Sequence, residues 1–209
     1  MSKLHQSLLP FETYHIFSRA VGKEKLFIEN RNYIFFLTKL HQHTKEVADI
    51  FTYSLLPNHF HIVLRIKDYH NITSHFEETK KKKFDPIKFD ISDFIMERFS
   101  NFLNSYTKAI NKTYNRKGAL FLDYLKRSKV KNESDFTSFI FYVHKNAVHH
   151  GYCKEIGDWP HDAYNSFLSK MPTKLLRDEV IIWFGGVENF KQFHNQPIDL
   201  KKVDFHEFD

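Results

Sequence analysis

Four short stretches of the chain predict β-strands, and the second of them is rich in aromatic and aliphatic residues and ends at a turn signal. In the first stretch Tyr14 and Ile16 point to one side, while His15 and Phe17 point to the other. Pro57 and Asn58 separate the second and third stretches and predict a tight turn between two hairpin strands. The four predicted strands cover residues 14–18, 50–56, 60–66 and 125–131.

Apolar residues recur at steps of three and four in other segments, which predicts helices with one buried face. The predicted helices cover residues 31–43, 91–115, 136–149 and 177–184. Residues 68–92 break the pattern, because they contain the run Lys80 to Lys83 followed by Asp85 and Pro86. We expect this segment to be a solvated loop insertion.

The order strand, helix, strand, strand, helix, strand predicts an α+β fold. It is a ferredoxin-like split βαβ antiparallel sheet with helices on one face and a helical C-terminal extension. Residues 1–135 would form the main domain, with the loop insertion at about 68–92, and residues 136–209 the extension packed on it. A fold of this kind does not define a function.

Composition narrows the class of protein. The 209 residues carry a formal net charge of +6 with a sequence pI near 9.2, which favours a polyanionic partner. Cys153 is the single cysteine, so an intrachain disulfide and a cysteine zinc site are excluded, in keeping with a reducing cytoplasm. No apolar run is long enough for a signal peptide or a membrane span, so we expect a soluble cytoplasmic protein with no membrane partner.

The candidate chemistry begins at His59 and His61, directly after the predicted turn. Side chains alternate along a strand, so both imidazoles would project to one face while Phe60 and Ile62 enter the core. Two such imidazoles can bind one metal ion, which could polarise a phosphoryl oxygen. The alternative is a pair of surface histidines on an amphipathic strand.

The histidine strand and several other segments, in their order along the chain, resemble the HUH single-tyrosine transposases, and most closely the REP-associated tyrosine transposases. The resemblance covers about 150 residues. It rests on Tyr14-His15-Ile16-Phe17-Ser18-Arg19 with Leu26-Phe27, Pro57-Asn58-His59-Phe60-His61, Ser105-Tyr106-Thr107-Lys108-Ala109-Ile110-Asn111, Gly118-Ala119-Leu120-Phe121 with Lys126-Arg127, Phe141-Tyr142-Val143-His144-Lys145-Asn146, and Asp158-Trp159.

The resemblance implies a transposase that cleaves single-stranded DNA and transfers the strand through a covalent phosphotyrosine. Tyr106 would be the nucleophile and would leave a 5′-phosphotyrosyl link and a free 3′-hydroxyl. Tyr114 lies two helical turns further on and is the rival nucleophile. Because Tyr106 lies on the apolar stripe of its predicted helix, an ordinary core tyrosine is the alternative.

The resemblance also implies Mg²⁺ or Mn²⁺ bound by His59 and His61, whereas imidazole ligands by their softness suit manganese or zinc. Related insertion-sequence transposases complete the metal site with a polar residue four positions after the tyrosine. Ile110 occupies that position here and cannot bind a metal. Asn111 and His15 are the two candidates for the third protein ligand.

A basic segment surrounds Tyr106, and the phosphate backbone of a DNA strand would lie there. Tyr114, Phe121 and Tyr124 are interleaved with it and could stack on unpaired bases. A solvated face over buried aromatic residues is the alternative. The predicted nucleic-acid-binding residues are Arg19, Lys108, Lys112, Arg116, Lys117, Lys126 and Arg127.

The expected partner is single-stranded or hairpin DNA. By resemblance, the protein would be cytoplasmic, nucleoid-associated and prokaryotic, and a monomer is favoured over a homodimer that shares its sites. Three other functions stay open: a replication initiator or relaxase with the same chemistry, a domesticated transposase that binds DNA without mobility, and a non-catalytic RNA-binding module.

Overall fold

The central sheet is antiparallel and mixes strands from distant parts of the chain. The computed structural model describes residues 6–122 and 125–196. In these segments the strands β1 (Thr13–Arg19), β2 (Ala48–Leu56), β3 (His59–Ile66) and β4 (Lys126–Lys129) lie in the order β2-β3-β1-β4. One helix lies between β1 and β2 and two lie between β3 and β4, and this strand order is that of a ferredoxin-like sheet, so the predicted fold class is confirmed.

The turn between β2 and β3 is held by the loop that follows β1. The carbonyl of Pro57 accepts hydrogen bonds from the backbone N–H groups of Leu26 and Phe27, at 2.7 and 3.1 Å. The carbonyl of Asn58 accepts another from Ala20, at 2.7 Å. These bonds fix the start of β3, where the histidine pair begins.

The first face of the sheet is covered by α1 (Asn30–Thr44) and α3 (Ile91–Thr113), close to the predicted bounds. Helix α3 begins at the N-cap Asp90, whose side chain accepts a hydrogen bond from the Ser92 N–H. Alternation along β3 sends Phe60 and Ile62 into this core, where they are fully buried.

Residues 68–92 are not the solvated loop that the lysine run predicts. About half of the segment is helix α2 (Tyr69–Lys80), which buries Ile72 and Phe76 in the first core. Asp68 caps its first turn by accepting from the Asn71 N–H. The lysine run begins at the last residue of the helix, Lys80, and Lys81 ends the helix in a left-handed conformation at φ 55°. The prediction was wrong because two apolar residues one turn apart suffice to dock a short amphipathic helix.

The C-terminal segment covers the second face of the sheet. Helix α4 (Glu133–His149) packs on β2 and β3, and α5 (Tyr164–Leu168), α6 (Arg177–Trp183) and α7 (Val187–His194) pack around it. The outer edge of β2 is bonded as well, by Leu55 N–H to the His161 carbonyl at 3.0 Å and by Leu176 N–H to the Ile50 carbonyl at 2.9 Å. The edge strand is therefore protected from pairing with other chains.

Some predicted features fall outside the described residues. Asp123 and Tyr124, part of the predicted basic and aromatic segment, lie there, as do residues 197–209 of the predicted extension. Within the described residues, no helix combines the length and the apolar character that crossing a membrane requires.

Candidate functional site

His59 and His61 lie on the face of β3 that α4 covers. His59 pairs with Arg19 of β1, and His61 pairs with Phe17, so both histidines are in regular strand positions. Their ring centroids are 5.2 Å apart and nearly perpendicular. The predicted shared face is present, and it is an enclosed face of the sheet rather than an open surface, since His61 is only 1% exposed.

A third histidine, His15 on the neighbouring strand β1, contacts His61. His15 Nε2 is 2.9 Å from His61 Nδ1, and the two rings are stacked. Complete burial lowers the pKa of His15 to about 3. Burial also holds the pKa of His61 well below its ordinary value of 6.5, and the neighbouring His15, His59 and His150 lower it further. Both rings are therefore neutral at physiological pH, the form in which imidazole binds metals.

Helix α4 brings a tyrosine and an amide to the histidines. The Tyr142 ring stands edge-on to His61, with centroids 5.3 Å apart, and to His15 at 5.9 Å. One turn later, Asn146 Oδ1 lies 3.1 Å from His59 Nε2. Residues four apart share one face of a helix, so α4 presents both side chains to the same strand. Both are buried, Tyr142 at 3% exposure and Asn146 at 0%.

A cavity of about 250 Å³ opens beside the histidines. Two basic residues line it, Arg19 from the end of β1 and Lys126 from the start of β4. Arg19 pairs across the sheet with His59, and Lys126 pairs with Phe17. The cavity is large enough for a phosphate group and its neighbouring sugar. Its lining comprises Phe17, Ser18, Arg19, Ala20, Gly22, Asn58, His59, His61, Lys126, His150 and Tyr152.

The side chains at this place fit a divalent metal ion only if Asn146 takes part. In the described residues no group of three or more His, Cys, Asp or Glu side chains is placed to hold a metal. His59, His61 and the Asn146 amide oxygen would supply two nitrogens and one oxygen. The 3.1 Å between His59 Nε2 and Asn146 Oδ1 matches the separation of about 3 Å between neighbouring ligands of an ion with bonds of about 2.1 Å. The Asn146 Nδ2 atom is buried without a hydrogen-bond partner in the described part of the chain, so its amide is not committed to another structural network.

Tyr106 is not near the histidines. It lies on α3, in the core on the opposite face of the sheet, and its hydroxyl donates a 2.6 Å hydrogen bond to the Leu26 carbonyl. Its ring packs among Phe27, Phe36 and other aromatic residues, and burial raises its pKa above the ordinary value of 10. The expectation that Tyr106 acts beside His59 and His61 therefore does not fit this geometry, and the alternative of a core tyrosine does.

The other residues considered around Tyr106 share its face. The Tyr114 hydroxyl donates to Glu29 Oε1 at 2.8 Å and is bonded to Asn32, so it ties α3 to the start of α1. Asn111 donates to the Gly118 carbonyl and accepts from Arg116, which closes the turn after α3. Asn111 is thus not a third ligand here. His15 is not one either, because its Nε2 atom is bonded to His61 Nδ1.

The predicted DNA-binding residues divide into three groups. Arg19 and Lys126 line the cavity. Lys108, Lys112 and Lys117 are exposed on or just after α3, and Arg116 pairs with Glu24 at 3.0 Å. Arg127 is a correction: it is 8% exposed, and its guanidinium donates to the backbone carbonyls of Gln6 and Leu125. Alternation along β4 turns Arg127 to the face away from the cavity, because Arg127 pairs with Ile16 and Lys126 with Phe17.

Four residues of the site were missed as functional residues: Tyr142, Asn146, His150 and Tyr152. The sequence contained one signal for the first two. A tyrosine followed four residues later by a polar side chain is the spacing that fails at Tyr106 and Ile110, and it occurs at Tyr142 and Asn146. His150 is exposed just after α4, and its ring lies 4.7 Å from that of His59.

A solved structure with the same fold is a REP-associated tyrosine transposase bound to a REP hairpin. The match has a TM-score of 0.60 with 14% sequence identity, and it covers 82% of this chain and 89% of that one. No family model matches the sequence, and no curated protein matches it. The chain therefore shares the fold of that solved structure, and a shared fold does not by itself define the chemistry of the site.

Proposed function

We propose that this protein is a metal-dependent DNA nuclease and strand transferase of the transposase type, with Tyr142 as its nucleophile. The observation that supports this proposal is that α4 places Tyr142 and Asn146 against His61 and His59 within one chain. This assignment replaces Tyr106 and keeps the reaction that the resemblance implies.

In the proposed reaction the Tyr142 hydroxyl oxygen attacks a phosphodiester phosphorus of single-stranded DNA. The bond from phosphorus to the 3′ oxygen breaks, the phenolic proton is lost, and the departing 3′ oxygen takes up a proton. The products are a 5′-phosphotyrosyl link and a free 3′-hydroxyl. Attack by the 3′-hydroxyl of another strand reverses these steps and rejoins DNA without ATP, because the phosphoester energy is conserved.

His59, His61 and Asn146 would hold Mg²⁺ or Mn²⁺. When bound, the ion would supply Lewis-acid stabilisation of the charge that develops on the phosphoryl oxygens. Arg19 and Lys126 line the cavity and would bind the phosphate backbone on either side of the reacting group. His15 would orient His61 through the hydrogen bond to His61 Nδ1, which would leave His61 Nε2 for the ion.

The test is a search for a covalent adduct that survives denaturation. The protein would be incubated with a labelled library of single-stranded hairpins, with Mn²⁺, Mg²⁺ or EDTA. We expect a metal-dependent adduct in the wild-type protein. Its yield should fall by at least about 100-fold in Tyr142→Phe, because phenylalanine has no hydroxyl to form the covalent bond.

Tyr106→Phe is the matched control, because it removes one buried hydroxyl from the other core and leaves the cavity untouched. It should still form the adduct at near the wild-type rate. An adduct that persists in Tyr142→Phe and disappears in folded Tyr106→Phe would overturn the assignment. Hairpin binding without any adduct would favour a domesticated protein that has kept DNA binding alone.

A further inference from the structure

An exposed tyrosine forms part of the rim of the cavity, and neither the metal site nor the nucleophile accounts for it. Tyr152 is 42% exposed and lines the cavity together with the basic residues Arg19 and Lys126. Tyr69, at 45% exposure, is at the start of α2 and does not line this cavity. An exposed aromatic face beside two cations is an arrangement that fits a nucleotide, which has a flat base next to a charged phosphate.

The end of α4 fixes the position of Tyr152. Gly151 adopts a left-handed conformation with φ 71°, and the Tyr152 N–H donates to the Ala147 carbonyl at 2.9 Å. With the Gly151 N–H bonded to the Val148 carbonyl, this is the hydrogen-bond pattern of a Schellman motif. The helix that carries Tyr142 and Asn146 therefore also sets where the Tyr152 ring stands.

A second aromatic residue supports the Tyr152 ring from behind. The Trp159 ring lies 5.4 Å from it, and the indole N–H donates to the Leu55 carbonyl at 2.9 Å. Behind Trp159, Tyr33 and His161 are stacked with centroids 3.6 Å apart. The Tyr152 ring thus packs on aromatic side chains that are themselves fixed by stacking and hydrogen bonding. A base that stacks on Tyr152 would therefore meet an ordered surface.

We propose that Tyr152 is the stacking platform for an unpaired nucleobase adjacent to the phosphate held in the cavity. The inference rests on the proposed function, since it names a part of the same DNA strand. It identifies the substrate as a strand with an unpaired base at this point, because in a duplex both faces of a base are covered by its neighbours. The contact needs no particular base, since each of the four presents an aromatic face.

The test measures binding rather than cleavage and uses full-length Tyr142→Phe protein, which cannot form the proposed adduct. The probes are fluorescently labelled single-stranded oligo-dA and the same oligonucleotide with abasic sites in its central part. Tyr152→Ala and Tyr152→Leu should weaken binding of oligo-dA by about 5- to 150-fold, corresponding to about 1 to 3 kcal/mol for one stacked base. Tyr152→Phe should bind nearly as the parent does.

Three controls separate stacking from general damage. Tyr69→Ala removes an equally exposed tyrosine on α2 and should leave the dissociation constant unchanged. On the abasic probe the Tyr152 variants and the parent should bind alike. Arg19→Gln should reduce the salt dependence of binding, whereas Tyr152→Ala should leave the slope unchanged because no charge is removed.

Two results would overturn the inference. One is binding of oligo-dA by Tyr152→Ala and Tyr152→Leu within twofold of the parent, and the other is an equal loss on the intact and abasic probes. Failure of the parent to bind either probe would also overturn it, since stacking is tolerant of sequence. The adduct experiment decides the proposed function separately, because a metal-dependent Tyr142 adduct can form whether or not Tyr152 holds a base.

Discussion

At the scale of single residues, the contact between His15 and His61 determines how the candidate metal ligand is presented. Both rings are neutral, so one nitrogen of the 2.9 Å pair donates its proton and the other accepts it. If His61 is to keep a lone pair on Nε2 for a metal, its Nδ1–H must donate to His15. Such an outer hydrogen bond fixes both the tautomer and the ring orientation of a metal-binding histidine.

Asn146 provides a direct test of the metal site. Asn146→Ala removes the only oxygen donor that we assign to the ion and should weaken Mn²⁺ binding by about 10-fold or more, at least as much as loss of an outer partner does. Asn146→Asp keeps an oxygen at this position and should largely preserve the affinity. Titration of the apoprotein with Mn²⁺, followed by electron paramagnetic resonance of the free ion, measures both. Equal affinity in the wild type and in Asn146→Ala would remove Asn146 from the ligand set.

Asp162 should make the stability of the protein depend on pH. Burial raises the pKa of this carboxyl group to about 7, although its Oδ1 accepts a hydrogen bond from the Tyr164 N–H. A raised pKa in the folded state means that the folded protein binds the proton more tightly than the unfolded chain. The stabilisation is complete below about pH 4 and is lost as the pH rises through about 7, by at most about 4 kcal/mol.

Asp162→Asn should therefore flatten the fall in the free energy of unfolding between about pH 4 and about pH 7, measured by urea denaturation. The amide oxygen can still accept from Tyr164, so the local turn is kept. Asp178→Asn, at an exposed side chain of α6, is the matched control and should leave the pH dependence as in the wild type. The same slope in Asp162→Asn as in the wild type would show that another group titrates.

At the scale of elements, α4 carries both a core and the site. The sequence predicted a helix over residues 136–149, and its apolar residues Phe139, Ile140, Val143 and Ala147 are buried. Tyr142 and Asn146 were passed over because hydrophobic periodicity counts a buried tyrosine as core. Tyr106 and Tyr142 both lie on apolar helix faces, and periodicity alone does not say which face of the sheet a helix will cover. Long-range packing decides that, and the polar residue four positions later was the local feature that distinguished the two.

The helices after α4 should unfold together with the sheet. Phe190 of α7 is fully buried against Tyr164, Phe167 and His194, and Phe190→Ala should lower the free energy of unfolding by about 3 to 5 kcal/mol. We expect one denaturation transition, observed alike by circular dichroism and by tryptophan fluorescence, because α4 packs on β2 and β3.

Phe36→Ala is the control from the other core, where Phe36 contacts Phe60 and Phe102. It should lower the same single transition by a similar amount. If Phe190→Ala instead produced an early transition of its own and left a second one unmoved, the C-terminal helices would be an independent unit.

At the scale of the whole molecule, the sheet separates two hydrophobic cores, and only one of them adjoins the candidate site. The core between the sheet and α1, α2 and α3 contains Tyr106 and is structural. The core between the sheet and α4 to α7 adjoins the histidines. The order of the strands was predictable from the order of the elements, but the closure of the second face was not, because the helices after α4 are short and carry little periodicity of their own.

Because one chain supplies all the proposed groups, mixing two inactive variants should not restore activity. Tyr142→Phe and His59→Ala would be combined in equal amounts with the hairpin library and Mn²⁺, and no adduct should appear. A site built from two copies would instead recover about a quarter to a half of the wild-type adduct by forming mixed pairs. Co-purified or refolded mixtures test this for copies that exchange slowly.

The distance along the chain between the histidine strand and its partners has a consequence for synthesis. Asn146 is 87 residues beyond His59, so a ribosome completes β3 long before it makes α4. During that interval a nascent chain would present its histidines with no tyrosine beside them. Under the proposed mechanism the ability to cut DNA would arise late, when α4 leaves the exit tunnel and docks, and a product terminated before α4 would lack the proposed nucleophile.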